Sequence, residues 1–306
     1  MRLRIGHLST CYHTSILFIA RDDLHRILGV DVEWKFFGTG PAIINAFEKS
    51  ELDLAYIGLP PAIIGISRGV GIVCVAGGHI EGTVICGKKA FAGFPEEKDL
   101  RIILRQLRGK KVGVPGRGSI HDVILNDCLK RFNLTKEIKV TNFAWADQAL
   151  EAMAMGDISA AVGTPALAVA STRYADGKIL FPPSRLWPHN PSYGILVERD
   201  FLRREKGLIE KFLVAHEEGT SFIRKKPRKA AEMIADLIGF IDAEFVLDTL
   251  KVSPKYCAQL THDFISSSME FVKALRRLGY MSRDVSPDEI FDTSLIRKIH
   301  PEKDHY

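Results

Sequence analysis

Four short segments pair small residues with a hydroxyl where an apolar run gives way to an amphipathic one. They are Leu8-Ser9-Thr10, Gly38-Thr39-Gly40, Gly118-Ser119 and Gly163-Thr164-Pro165. Glycine lets a backbone approach a ligand closely, and the free N–H groups and dipole of a first helical turn favour negative charge. The hydroxyl adds a donor. Taken singly, each turn is an ordinary N-cap. Four of them facing one gap between two lobes point to ligand binding.

Charged and aromatic residues sit beside these turns. Arg117 lies between two glycines, where a bidentate guanidinium suits a carboxylate, sulfonate or phosphate and an ordinary solvated arginine fits equally well. His13 and His79 follow apolar runs of the first half, placed to donate to an anion, stack on a ring, or act as a base near neutral pH. His7, Cys11 and His13 crowd the first turn, with His121 and His189 further on. None has the spacing of a His-Glu-x-x-His or Cys/His zinc motif, so neither a metal nor a cofactor is expected. The five cysteines, Cys11, Cys74, Cys86, Cys128 and Cys257, are odd in number and lack a CxxC pair, which points to buried reduced thiols. Gly116-Arg117-Gly118-Ser119 is not a P-loop, Gly38-x-Gly40 lacks the third dinucleotide-binding glycine, and no G-x-S-x-G elbow occurs. Trp145 and Trp187 fall at expected cleft edges, as aromatic wall or as packing. The run Arg224-Lys225-Lys226 reads as a solvated helix junction.

The elements that must position these residues follow a β-α rhythm. Strands are expected at residues 3–8, 30–36, 52–57, 72–76 and 83–86. Helices intervene at 15–28, 42–49 and 62–68, and Gly77-Gly78-His79 reads as a bend. Residues 89–99 read as a crossing between lobes. The rhythm restarts with strands at 111–114, 138–141, 160–162 and 179–181, interleaved with helices at 119–132, 147–155 and 165–172. Residues 182–191 hold four prolines and read as the return crossing to a strand at 193–198. Helices fill the rest. The expectation is an α/β chain of two lobes, residues 1–88 plus 190–306 and residues 89–189, joined by two crossings. Ligands of open α/β sheets bind beyond the carboxyl ends of the strands, here the gap between lobes.

Composition agrees. The chain has 306 residues, 46% hydrophobic and 26% charged, with a net charge of +5. That excludes collagen, coiled coil and disorder, and gives no sign of nucleic-acid binding. Length alone suggests about two domains. The apolar stretch Ile16–Ala20 is far short of the ~20 residues that cross a bilayer. A strand at Met1–Ile5 leaves no room for an export signal, so the expectation is a cytoplasmic protein or a mature periplasmic or extracellular form.

With these residues in view, the chain resembles the substrate-binding proteins of the nitrate, sulfonate and taurine ABC transporters, a group that also holds thiamine-precursor pyrimidine-binding proteins. The likeness runs through "RIGHLS", "VDVEWKFFGTGPAIINAFEKSELDLAYIGLPPAI", "GKKVGVPGRGS", "ALEAMAMGDISAAVGTPALA" and "YGILVERDFL". It implies a type 2 periplasmic-binding-protein fold with two crossovers and a C-terminal helical coat. It further implies first-lobe ligand contacts at Ser9, Thr10, His13, Thr39, Gly40, Leu59 and His79. In the second lobe, the turns at Ser119-Ile120 and Thr164-Pro165 would close on the ligand, and the reading of the residues adds Arg117 as its charge. The expected partners are a small molecule and the permease and ATPase of a transporter, with the receptor monomeric and touching the membrane only through the permease. The alternative is a cytoplasmic biosynthetic enzyme on the same fold, of thiamine or menaquinone type. The fungal pyrimidine synthase's cysteine-rich loop is missing here, as is the first-strand Asn of chorismate dehydratase.

Overall fold

The computed structural model describes residues 1–306. Two five-stranded sheets organise the chain. The first contains β1 (Arg2–Leu8), β2 (Asp31–Phe37), β3 (Leu54–Ile57), β4 (Ile72–Ile80) and β10 (Pro191–Glu198), in the order β2-β1-β3-β10-β4. The second contains β5 (Val84–Lys88), β6 (Lys111–Pro115), β7 (Lys139–Phe143), β8 (Ala160–Gly163) and β9 (Gly177–Phe181), in the order β7-β6-β8-β5-β9. In each sheet one strand runs antiparallel to both its neighbours. β10 returns from the second half to lie between β3 and β4, and β5 arrives from the first half to lie between β8 and β9. This mutual exchange gives the two-lobed periplasmic-binding-protein architecture.

The exchange corrects two expectations. Val84–Lys88, assigned from sequence to the first lobe, pairs in the second sheet, with Val84 opposite Gly163 and Gly87 opposite Ala160. The first crossing is therefore Glu81-Gly82-Thr83, and residues 89–99 lie within the second lobe. The apolar run at 84–86 reads the same whichever sheet receives it, and only pairing decides. The Gly77-Gly78-His79 bend is also absent, because β4 runs unbroken through it. These glycines serve close packing. A Cβ on Gly77 would lie 2.6 Å from the Gln259 carbonyl oxygen, and one on Gly78 would lie 2.0 Å from the Tyr193 ring.

Helices follow the strands. In the first half they are α1 (Thr14–Arg21), α2 (Leu24–Leu28), α3 (Gly40–Glu48) and α4 (Leu59–Ser67). The single helix expected at 15–28 is broken because Asp22 adopts the left-handed conformation, φ 47°, and closes α1. The second half carries α5 (Leu100–Arg105), α6 (Ile120–Arg131), α7 (Ala146–Ala154), α8 (Pro165–Tyr174) and α9 (Pro183–Leu186). The coat comprises α10 (Arg199–Arg204), α11 (Lys206–Lys225), α12 (Pro227–Ile238), α13 (Ala243–Val252), α14 (His262–Leu278), α15 (Pro287–Ile290) and α16 (Ile296–Ile299).

One apolar cluster runs from Leu3 and Ile5 of the first sheet through Ile120 and Val123 to Val112 of the second. A smaller one, including Val84, Met153 and Leu167, lies behind the second sheet. The coat spans both lobes. Arg173 of α8 pairs with Asp242 and Asp248, and the Arg277 guanidinium of α14 grips Asp127 of α6. Trp187 stacks on Phe271 at 4.1 Å and donates to the Ser267 hydroxyl at 3.2 Å, so it packs the return crossing onto α14. No helix is long and apolar enough to cross a membrane.

Candidate functional site: the cleft between the lobes

The starts of four helices, α3 and α4 from the first half and α6 and α7 from the second, meet along one seam. A Cβ on Gly38 would lie 2.5 Å from the Ala144 carbonyl oxygen, ahead of α7. One on Gly116 would lie 3.0 Å from Thr39, ahead of α3, and one on Gly58, ahead of α4, would lie 3.6 Å from Ile120 at the start of α6. The lobes are therefore closed on one another. Glycine is used where the backbone of one lobe presses close on the other.

The cleft has an apolar mouth and a polar floor. The mouth is a cavity of about 400 Å³ lined from the first lobe by Ser9, Thr10, Cys11 and Phe36. Thr164 and Leu167 line it from the second lobe, and Phe240 from the coat. The floor is built on the turn after β1 and on β4 and β10. His13, at the N-cap position of α1, is fully buried, and its ring centroid lies 4.0 Å from that of Tyr193. Tyr193 is held by Thr14, whose backbone N–H donates to the phenol at 3.2 Å. The Tyr12 phenol shares a 3.0 Å hydrogen bond with Ser192, and the Tyr256 phenol donates to the Tyr12 carbonyl at 2.7 Å. Gly82 has no room for a side chain, since a Cβ would lie 2.0 Å from the Ser192 hydroxyl.

Several buried polar atoms in and around the mouth and floor meet no protein partner. They are the Thr10 hydroxyl, both ring nitrogens of His13, and Nδ1 of His79 and of His7. Buried polar groups are nearly always paired, so a group of orphans at a cleft marks where a ligand or ordered water belongs. The tautomer of His79 follows from its other nitrogen. Nε2 lies 2.6 Å from the Ser253 carbonyl and must donate to it, so Nδ1 is left as a bare acceptor.

These histidines are neutral. Burial pushes His79 and His7 down to about 4 and His121 down to about 3. His13 is held well below the ordinary value, first by burial and then by the nearby His79, His7 and His121. His121 reaches the seam from α6, and its Nδ1 lies 2.9 Å from the Thr83 hydroxyl in the first crossing.

The remaining residues singled out in the sequence lie in different surroundings. The Ser119 and Thr164 hydroxyls accept from the backbone N–H groups of Asp122 and Leu167 and so cap α6 and α8. Gly40 admits the Pro61 ring, 2.7 Å from where its Cβ would stand. Leu59, Ile120 and Pro165 are buried first residues of their helices. Arg117 has its guanidinium 5.6 Å from the Tyr280 ring centroid and lines a separate cavity with Pro41 and Ile64 of the first lobe. No lysine or arginine is among the buried polar residues. Sequence reasoning missed Tyr12, Gly82, Ser192, Tyr193 and Tyr256. Of these, Tyr12 adjoins His13 in the chain, whereas Tyr256 arrives from the coat with no local signal.

With this geometry established, comparison with known proteins places the chain. The model of the NMT1-like family matches residues 1–239. The chain belongs to the NMT1-like family. No curated protein sequence matches it. Among solved structures it is similar to the ligand-binding component of an ABC-type import system from Staphylococcus aureus with zinc bound. That likeness has a TM-score of 0.80 and 15% identity, over 99% of this chain and 100% of that one. It is also similar to the alkanesulfonate-binding protein SsuA from Xanthomonas axonopodis pv. citri bound to MOPS (TM-score 0.79, 16% identity, 95% and 98% covered). A third is the periplasmic nitrate-binding protein NrtA from Synechocystis PCC 6803 (TM-score 0.77, 13% identity, 97% and 88% covered). These NMT1-like and solute-binding relationships establish the fold of the two lobes and their coat.

Proposed function

We propose that this NMT1-like chain is the solute receptor of an ABC-type import system. It closes two lobes, residues 84–181 and the remainder, over one small ligand, hinging at Glu81–Thr83 and at the 182–190 return. Closure is favoured only by contacts the ligand makes in the closed state and not in the open one. The supporting observation is the set of orphaned polar atoms on the cleft floor.

Their chemistry narrows the ligand. His79 Nδ1 accepts but cannot donate, so it needs a donor. Neutral His13 offers one N–H and one lone pair. A guest that both donates and accepts is called for, and sulfonate and nitrate only accept. No buried cation is there to favour an anion, and three tyrosines, Tyr12, Tyr193 and Tyr256, pack against His13 and His79. The reading is a neutral, flat nitrogen heterocycle of aminopyrimidine type, with the apolar mouth taking its substituent. A histidine held far below neutral pH is a weak base, which favours capture over turnover.

Titration calorimetry against aminopyrimidines, aromatic acids, alkanesulfonates, nitrate and bicarbonate tests this. Binding of an aminopyrimidine, weakened in His79→Ala, is expected. Tight sulfonate or nitrate binding with aminopyrimidines inert would overturn the ligand class, and turnover of any candidate would overturn the receptor role.

A further inference from the structure

Where the C-terminal stretch packs on the coat, four side chains able to ligate a metal converge. Cys257 lies in the segment between α13 and α14, Glu217 on α11, and His300 and His305 in the C-terminal stretch after α16. The ligand atoms of Cys257, His300 and His305 all lie within 4.8 Å of one another. Cys257 Sγ is 3.6 Å from His300 Nε2, and His300 Nε2 is 2.9 Å from His305 Nε2. The Glu217 carboxylate oxygens stand 3.9 Å from His300 Nε2 and 4.0 Å from His305 Nε2.

We propose that Cys257, His300, His305 and Glu217 form a zinc site that clips the C-terminal stretch to α11. Zinc takes sulfur at about 2.3 Å and nitrogen or oxygen at about 2.0–2.2 Å in a tetrahedron, which sets neighbouring ligand atoms roughly 3.3–3.6 Å apart. The observed separations bracket that span. One thiolate and one carboxylate balance the charge of a divalent ion, and the mixed sulfur, nitrogen and oxygen set suits borderline zinc better than magnesium or calcium.

The surroundings are organised for such a site. The Gln259 amide donates to the Glu302 carbonyl at 2.6 Å, holding the stretch that carries both histidines. Arg224 lies 3.5 Å from Glu217 and also donates to the Tyr256 carbonyl at 2.9 Å. With all protein ligands and no open position, the chemistry is structural.

The site adjoins the cleft through the chain. Cys257 follows Tyr256, whose ring lies 4.6 Å from that of His79, and Glu217 follows His216, which packs on Tyr56. Zinc would therefore fix the segments that carry two groups of the cleft's back wall. The inference stands independently of the ligand proposed above.

The full chain, purified without chelator and dialysed against zinc-free buffer, is expected to retain about one zinc per chain, and its cobalt form to show a thiolate charge-transfer band. Cys257→Ser should remove that band. His305→Ala, at an exposed position that leaves the fold intact, should weaken zinc binding by more than about tenfold, the upper decade of loss seen even for outer partners of a metal ligand being larger still. His13→Ala should change neither. The site is refuted by wild-type protein that takes up no zinc, by a cobalt form without the thiolate band, or by zinc binding that survives His305→Ala. Zinc lost with His13→Ala instead would place the ion in the cleft and refute it equally. Should Cys257→Ser fold poorly, the His305→Ala titration decides.

Discussion

Across the mouth of the cleft the ring of Phe36, from β2, lies 5.6 Å from the indole of Trp145, ahead of α7, with the two planes 27° apart. The residues belong to different lobes, so the stack exists only when the lobes are closed. Aromatic pairs of this kind contribute about 1 kcal/mol beyond area burial. Trp145→Ala is expected to raise the dissociation constant of the cleft ligand about fivefold without altering unfolding of the free protein. Calorimetry alongside thermal unfolding checks both. An unchanged constant would mean the stack takes no part in closure.

Gly38 makes a sharper test of the same motion. Its missing Cβ would stand 2.5 Å from the Ala144 carbonyl of the opposite lobe. Overpacking of this order costs about 1–3 kcal/mol, but opening the cleft relieves it. Gly38→Ala should therefore weaken ligand binding at least about tenfold and enlarge the solution radius of gyration. Small-angle scattering with and without ligand would read the shift. A compact, tightly binding variant would contradict the closed geometry.

The strand-turn-helix rhythm was legible because apolar runs and helix-start residues are local signals, and β1, β2, β3 and their helices follow it. What escaped was decided by pairing at a distance. Val84–Lys88 joined the second sheet, and β4 ran through Gly77 and Gly78 because Tyr193 and residues 257–259 fill the space of their side chains. Among the residues of the cleft, His13 and Thr10 stand out by position after a strand, and His79 by the end of the apolar run of β4. Tyr256 and the Cys257–His300–His305 cluster depend on how the coat folds back, which no spacing of nearby residues encodes.

Acid should destabilise the protein in a defined window. His7, His79 and His216 take up protons only at about 4, and His121 at about 3, against 6.5 for ordinary histidine. The unfolded chain binds these protons first, so stability falls as pH drops. The contribution is intact above about pH 7 and is lost from about pH 6.5 down toward pH 3–4, by up to about 1.4 kcal/mol per pH unit for each histidine. Urea unfolding at pH 7.5, 6 and 5 measures the slope. Equal midpoints at pH 7.5 and 5 would show that these histidines are not buried neutral.

Asp53 lies in one of the segments that resemble the transporter receptors, and its contacts are structural. It accepts from the Arg4 backbone N–H at 2.8 Å and from the Arg4 guanidinium at 3.1 and 2.6 Å, tying the start of β3 to β1. Asp53 is buried, but a third of the Arg4 side chain is exposed, so a lone arginine can still reach water. Asp53→Ala is expected to cost about 2 kcal/mol, less than the loss from breaking a fully buried pair. Denaturant titration gives the cost. Loss of ligand binding in a folded Asp53→Ala protein would reassign the residue to the site.

A crystal structure of the full chain with saturating aminopyrimidine, or with whatever guest co-purifies, goes to the centre of the account. Density is expected between the lobes, within about 3.2 Å of a His13 ring nitrogen and with an N–H group on His79 Nδ1. A bound guest that leaves those atoms untouched, or a floor whose orphaned groups are met by water alone while the guest sits elsewhere, would contradict it.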